Sequence, residues 1–104
     1  KVTQIVDNPP NYIEPSHPLV EELMNAYREE TGDDKPAYVM GGGTYARKIP
    51  NAVGFGPGLK VEYTELGLTN GHGECHCADE AQSITNLKKA VRIYVRALQR
   101  LNKR

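Results

Sequence analysis

Residues 83–104 read SITNLKKAVRIYVRALQRLNKR. Apolar side chains recur in this stretch at alternating four- and three-residue steps, at Leu87, Val91, Tyr94, Leu98 and Leu101. This spacing predicts an amphipathic helix with one apolar stripe. Ser83 can cap its beginning, and the basic residues Lys103 and Arg104 suit the negative end of the helix dipole.

A second helix is predicted from Ser16 to Gly32. Leu19, Leu23 and Tyr27 follow each other at four-residue steps, which indicates another apolar stripe. Ser16 is a candidate N-cap with Pro18 in the first turn, where a missing N–H has no cost, and Gly32 is a candidate end.

Short apolar runs between and before the helices predict strands. They lie at residues 2–6, 37–40 and 52–55, and a further strand at residues 61–63 is an alternative to a loop. Proline and glycine clusters end these runs, as is typical of strand boundaries. The predicted fold class is therefore α/β, with short strands and two main helices packed on one face of a sheet.

Length and composition limit the kinds of function that the chain can have. Its 104 residues allow one domain, and 13 basic residues balance 13 acidic ones, which favours neither nucleic acid nor an anionic membrane as partner. No apolar run approaches the roughly 20 residues that span a bilayer, and no signal peptide pattern precedes Val2. Cys75 and Cys77 are too close in sequence to bridge readily, so a reducing, cytoplasmic setting is expected. Because the first residue is Lys1, we expect that the amino end was cut.

The segment Gly41-Gly42-Gly43-Thr44 is a candidate anion-binding turn. Consecutive glycines allow backbone N–H groups to converge on a carboxylate or phosphate. Thr44 adds a hydroxyl donor, and Arg47 adds a guanidinium that can hold a carboxylate by two bonds. The alternative is a purely structural turn that needs positive φ at glycine, with Arg47 as a surface charge. The dinucleotide and Walker patterns do not fit, because Pro50 cuts the helix short and no Gly-Lys-Ser/Thr occurs.

His76 is a candidate metal ligand, with Asp79 and Glu80 just downstream. An imidazole is a common zinc ligand, and a nearby carboxylate can orient its second nitrogen. One histidine cannot hold a metal alone, since catalytic zinc usually has three protein ligands. A local zinc site is an alternative, built from four side chains: His72, Cys75, His76 and Cys77. A third interpretation is that His76 is simply a polar loop residue.

The two motifs together resemble one family. Its pattern is seen in Gly-Gly-Gly-Thr-Tyr-Ala-Arg at residues 41–47, in Asn51, in Gly-Phe-Gly-Pro at residues 54–57, and in His76-x-x-Asp79-Glu80 ahead of a long helix. The chain is similar to the aminoacylase and dipeptidase family of dinuclear zinc exopeptidases, and above all to its peptidase V-like, Xaa-His dipeptidases. The resemblance covers nearly the whole chain, but only about the last quarter of a family member.

The resemblance implies a domain division and a set of roles. Residues 1–15 would be the end of a lid domain and a linker, and residues 16–104 the C-terminal portion of the metallopeptidase catalytic domain. His76 would be the last zinc ligand. Gly42, Gly43 and Thr44 would contact the carboxylate end of a peptide or N-acyl amino acid, and Arg47, at the family's arginine position, would also bind substrate. Glu80 would have a structural role.

The resemblance also implies that catalytic groups are missing. The family needs a His-x-Asp pair, a bridging aspartate, a Glu-Glu pair that supplies the general base, and a further acidic ligand, and none of these matches here. We therefore expect two zinc ions in an intact protein, with one ligand on this stretch, and no activity from the stretch alone. The rival interpretation is a non-enzymatic α/β interaction module. In either case uncovered sheet or helix surface is expected to favour self-association.

Overall fold

A computed structural model describes residues 1–103. The chain divides into two units, residues 1–55 and residues 56–104, and each is described by itself. The first contains helix α1, Pro18–Thr31, and a short 3₁₀ helix, Tyr45–Lys48. The second contains a 3₁₀ helix, Tyr63–Leu66, and helix α2, Ile84–Asn102.

The predicted α/β fold is wrong, because no strand forms among residues 1–103. The apolar runs that suggested strands lie largely open to solvent, with Val2 98% and Val39 91% exposed. A strand is stable only when neighbouring strands satisfy its backbone groups and cover one of its faces. These runs have no such neighbours in the described part of the chain, and neither helix has a sheet on which to pack.

Helix α1 forms close to the predicted limits. His17, rather than Ser16, is the N-cap: its ring Nδ1 accepts from the backbone N–H of Leu19 at 3.1 Å. Pro18 occupies the first turn, and Gly32 ends the helix in the left-handed conformation with φ 70°. The buried side of the helix consists of Val20, Leu23, Ala26 and Tyr27. An imidazole therefore satisfies the orphan N–H that a serine was expected to satisfy.

A polar cluster fixes the chain just beyond α1. The hydroxyl of the buried Tyr27 donates to Asp33 Oδ2 at 2.9 Å, and Lys35 Nζ lies 3.2 Å from the same oxygen. The Tyr27 hydrogen bond, followed by Lys35, lowers the pKa of the Asp33 carboxyl below its usual 3.8. Hydrogen bonding to Tyr27 and then to Asp33 raises the pKa of Lys35.

The cluster of Tyr27, Asp33 and Lys35 makes the stability of the fold depend on pH. Because the pKa of Asp33 is lower in the folded chain, this group stabilises the fold above its unfolded pKa, and the contribution is lost as pH falls through the folded pKa. We expect the melting temperature to fall between roughly pH 5 and pH 2, and to fall less steeply in Asp33→Asn. Asp34→Asn is the control, since the Asp34 side chain is 95% exposed and its ion pair with Arg28 is screened by solvent. Equal slopes in both variants would contradict the prediction.

Helix α2 begins as predicted, with the Ser83 hydroxyl accepting from the N–H of Asn86 at 3.3 Å. Its buried positions are Ile93 and Ala97, however, and not the predicted apolar stripe. Six large apolar side chains of this helix are exposed: Ile84, Leu87, Val91, Tyr94, Val95 and Leu98. At 100° per residue these six share one continuous side of the helix, here called the α2 apolar face.

The polar side of α2 carries charge of one sign. The helix contains five basic residues and no acidic one, the basic residues being Lys88, Lys89, Arg92, Arg96 and Arg100. Within residues 1–103, no helix has both the length and the apolar content that crossing a membrane requires.

Candidate functional site

The glycine segment leads directly into the first 3₁₀ helix. Thr44 is the N-cap of this helix, and its Oγ1 accepts from the N–H of Ala46 at 3.2 Å. The helix ends at Lys48, next to Ile49 and Pro50. None of the three glycines has a positive φ. A requirement for left-handed backbone therefore does not explain why glycine stands at residues 41–43.

The space left by Gly43 is used by Arg47. A Cβ added at Gly43 would overlap the Arg47 guanidinium, at Cζ and both terminal nitrogens. The guanidinium thus lies against the glycine segment, and no ion pair to it forms within residues 1–103. Gly42, Gly43, Thr44 and Arg47 are all exposed. The structure brings a donor-rich backbone turn and one positive charge together at a surface that an anion can reach.

His76 lies in a loop of the second unit that two backbone hydrogen bonds close. Gly73 N–H donates to the carbonyl of Ala78 at 2.8 Å, and Ala81 N–H donates to the carbonyl of Gly73 at 3.0 Å. We call this pair of bonds the loop neck. Inside the loop, Cys77 N–H donates to the carbonyl of Glu74 at 3.1 Å. The chain therefore turns back on itself between residues 73 and 78, with His76 within the turn.

The conformation of His76 is unusual. Its φ is 65°, in the left-handed region that side chains other than glycine rarely adopt, and Asp79 has φ 56°. The His76 side chain is exposed. The ring is therefore open to a ligand instead of being a buried core residue.

The carboxylates near His76 interact with other side chains. Asp79 Oδ2 lies 2.7 Å from Nδ1 of His72, and Glu80 Oε1 lies 3.7 Å from Sγ of Cys75. Because an ionised carboxylate only accepts, His72 Nδ1 carries the proton in the first of these bonds. The structure thus brings Asp79 to His72, and within residues 1–103 no carboxylate is hydrogen-bonded to His76.

Gly73 is buried beneath two side chains at the loop neck. A Cβ at this position would stand 2.6 Å from Cδ1 of Tyr63 and 2.8 Å from Cδ1 of Leu68, and the φ of Gly73 is 90°. An open depression of about 420 Å³ lies on this side of the unit, lined by Tyr63, Cys75, Glu80, Ala81 and Gln82. His76 does not line it. Glycine is required at residue 73 by both conformation and space.

The described residues do not form a metal site by themselves. No group of three or more His, Cys, Asp or Glu side chains in residues 1–103 has an arrangement that could hold a metal ion. The local zinc site is therefore not supported: His72 pairs with Asp79, and the Cys75 thiol lies beside Glu80. At most, His76 can offer one imidazole to a centre completed by other residues.

Sequence reasoning named His72 only as a donor of the local zinc site, and it missed both the pairing of His72 with Asp79 and the role of Gly73. The signal that could have found them is the run Asn70-Gly-His-Gly73, in which glycines on both sides of a histidine allow a tight reversal. The glycine segment and His76 belong to different units, so their roles as substrate and metal contacts stay predictions.

Comparison with known proteins identifies relatives. A model of the peptidase family M20/M25/M40 matches residues 1–100. Proteins named "Putative dipeptidase" are similar in Staphylococcus saprophyticus and Staphylococcus epidermidis, both 49% identical over 47 residues, and in Staphylococcus aureus strain USA300, 46% identical over 48 residues. These matches cover 45% or 46% of this chain and 10% of each relative, so the matched stretch is about a tenth of the relatives' length. No solved structure matches the chain significantly.

Proposed function

This chain belongs to peptidase family M20/M25/M40, and we propose from that membership that it is the carboxy-terminal part of a zinc-dependent dipeptidase. The proposed reaction is hydrolysis of short peptides or N-acyl amino acids, as an exopeptidase. Three of the relatives carry a dipeptidase name, which supports a peptide as substrate.

The observation that carries the proposal is the exposed ring of His76, held within a closed loop at the place where the family resemblance puts a metal ligand. An accessible imidazole with a fixed backbone is suited to ligation, since the donor need not be uncovered before metal binds. Zinc, when bound, would supply Lewis-acid polarisation and an activated water. The other ligands and the general base would come from residues that this stretch does not contain.

The role proposed for the glycine segment is recognition of the substrate's carboxylate. The Arg47 guanidinium against Gly43 provides charge, and Thr44 with the backbone N–H groups of the turn provides hydrogen-bond donors. The free thiols of Cys75 and Cys77 agree with a reducing compartment, so we propose a cytoplasmic location.

The test is zinc-dependent hydrolysis by the complete product of the gene that contains this sequence. We expect that product to cleave a dipeptide, to lose activity on chelation and to regain it with added zinc, whereas the 104-residue chain alone cleaves nothing. Turnover by the short chain would show that the catalytic groups had been misassigned. A complete product that never hydrolyses dipeptides or acyl amino acids would contradict the function itself.

A second candidate role is association through the α2 apolar face. Its six side chains belong to residues that are between 41% and 71% exposed, and they form the kind of contiguous apolar patch that marks an interaction surface. We propose that a second copy of the 104-residue chain covers this face.

The prediction is a dimer held by apolar contacts. Sedimentation of the 104-residue chain is expected to show association at high concentration that persists at about 0.5 M salt, because screening of charges does not weaken the burial of apolar surface. Leu98→Glu, at a position 68% exposed, is expected to abolish association. A monomer at all salt and protein concentrations would exclude association of two copies through the α2 apolar face.

A further inference from the structure

We infer that the His72–Asp79 hydrogen bond is a positioning device, which keeps the loop neck closed and so presents His76 in its ligand-competent backbone conformation. The consequence for metal binding rests on the proposed function, whereas the effect on the loop does not. Neither the family resemblance nor the comparisons assign a role to His72.

The hydrogen bond lies directly at the loop neck. The backbone bond of 2.8 Å joins Gly73 to Ala78. His72 immediately precedes Gly73 and Asp79 immediately follows Ala78, so the side-chain bond lies next to the backbone bond. The bond of 2.7 Å between His72 Nδ1 and Asp79 Oδ2 therefore adds a third connection across the same point. His72 is only partly exposed, with 38% of its side chain accessible, which protects this bond more than a fully solvated pair.

The loop needs such a connection. His76 and Asp79 both have positive φ, and left-handed backbone at residues other than glycine persists only where the surroundings enforce it. From Glu74 to Glu80 every residue is exposed, so packing within the loop cannot provide that enforcement. The neck is anchored on the buried Gly73, beneath Tyr63 and Leu68. Side-chain and backbone bonds at the neck are then what holds the turn.

The pair acts at a distance from the ring that it positions. The contacts of His72 and Asp79 join the two ends of the loop, and none of them reaches the His76 side chain. Opening the neck would release the backbone of His76 to an ordinary negative φ and move the imidazole with it. His72 and Asp79 are therefore positioning residues and not metal ligands.

The first experiment measures amide hydrogen exchange in the 104-residue chain. His72→Gln and Asp79→Asn are each expected to lower the protection of the Gly73 and Ala81 amides about tenfold, because both are donors of the neck bonds. Asn tolerates positive φ, so Asp79→Asn tests the charge and not the backbone. Glu74→Gln is the control, an exposed carboxylate in the same loop. Unchanged protection in both variants, or no protection in the parent chain, would overturn the inference.

Two further measurements separate local from global effects. The amides of Ile93 and Ala97 in α2 are expected to keep their protection, whereas a general loss would assign the residues to overall stability and reject a positioning role. The exchanged pair His72→Asp with Asp79→His is expected to recover most of the lost protection at Gly73, because the same two groups again face each other.

The last measurement uses the complete gene product and zinc alone, by competition with a chelator. Asp79→Asn is expected to weaken zinc binding by about 10- to 100-fold, the range found for groups that orient a ligand, and Glu74→Gln to leave it unchanged. If the loop opens but zinc affinity stays the same, the positioning role toward the metal is wrong. If the unmodified product binds no zinc, the proposed function fails, while the exchange data still decide the role of the pair at the neck.

Discussion

His76→Ala in the complete gene product is expected to lower kcat/KM for dipeptide hydrolysis by on the order of a thousandfold. The physical reason is that metal catalysis supplies several kcal/mol of transition-state stabilisation, each 1.4 kcal/mol being about tenfold in rate. Under the proposed function this substitution removes a zinc ligand without disturbing a core, since His76 is exposed. Steady-state kinetics with bound zinc measured in parallel would check this.

Cys77→Ser is the matched control for this variant. Cys77 is the next residue, its side chain is exposed, and its one described hydrogen bond uses the backbone N–H, so the substitution keeps the loop. We expect activity and zinc content to be unchanged. The opposite pattern, in which Cys77→Ser loses zinc and His76→Ala does not, would revive a local site and refute the role given to His76.

Ile93→Ala is expected to lower the free energy of unfolding by about 2–5 kcal/mol, the usual cost of emptying a fully buried aliphatic position. Ile93 is 0% exposed and is the largest fully buried side chain. Such a loss is a large share of the 5–15 kcal/mol that stabilises a typical domain. Urea unfolding followed by helix circular dichroism measures it.

The same helix provides a control of identical chemistry. Ile84 is 71% exposed. Ile84→Ala therefore deletes the same atoms as Ile93→Ala, but at a position that solvent already reaches. It is expected to change the free energy of unfolding by less than about 0.5 kcal/mol. Equal losses in the two variants would mean that the buried side of α2 had been assigned wrongly.

The helices could be predicted from sequence because their determinants are local. The apolar spacing of α1 and α2, the Ser83 cap and the left-handed Gly32 all depend on residues within a few positions of each other. The N-cap of α1 was assigned one residue too early, since the histidine ring at residue 17 competes with a serine hydroxyl for the same N–H.

The strands and the buried side of α2 could not be predicted in this way. Strand pairing depends on distant partners, and an apolar run such as residues 37–40 stays irregular and exposed where none is present. Likewise, the apolar periodicity predicts that α2 is amphipathic, but it does not predict which side of the helix is buried. Leu87 and Leu98 are exposed although the pattern placed them in the core.

The sequence names candidate site residues but not their contacts. His76 and Arg47 are candidates by residue type and by the family resemblance, and their roles stay predictions. The partner of Asp79 was not, because the distance between His72 and Asp79 depends on how the loop reverses. Asp79 is three residues from His76 and was therefore expected to orient its ring. In the fold, Asp79 is hydrogen-bonded to His72 instead.

The empty position beside the Arg47 guanidinium has a consequence for how variants of this protein should be compared. Gly43 has no side chain, and the space left by the missing Cβ is occupied by the Arg47 guanidinium. A methyl there would cost little stability, since a flexible arginine simply swings aside, but the positive charge would then stand elsewhere. Natural variation at residue 43 would thus move a positive charge on the surface while every charged residue is kept.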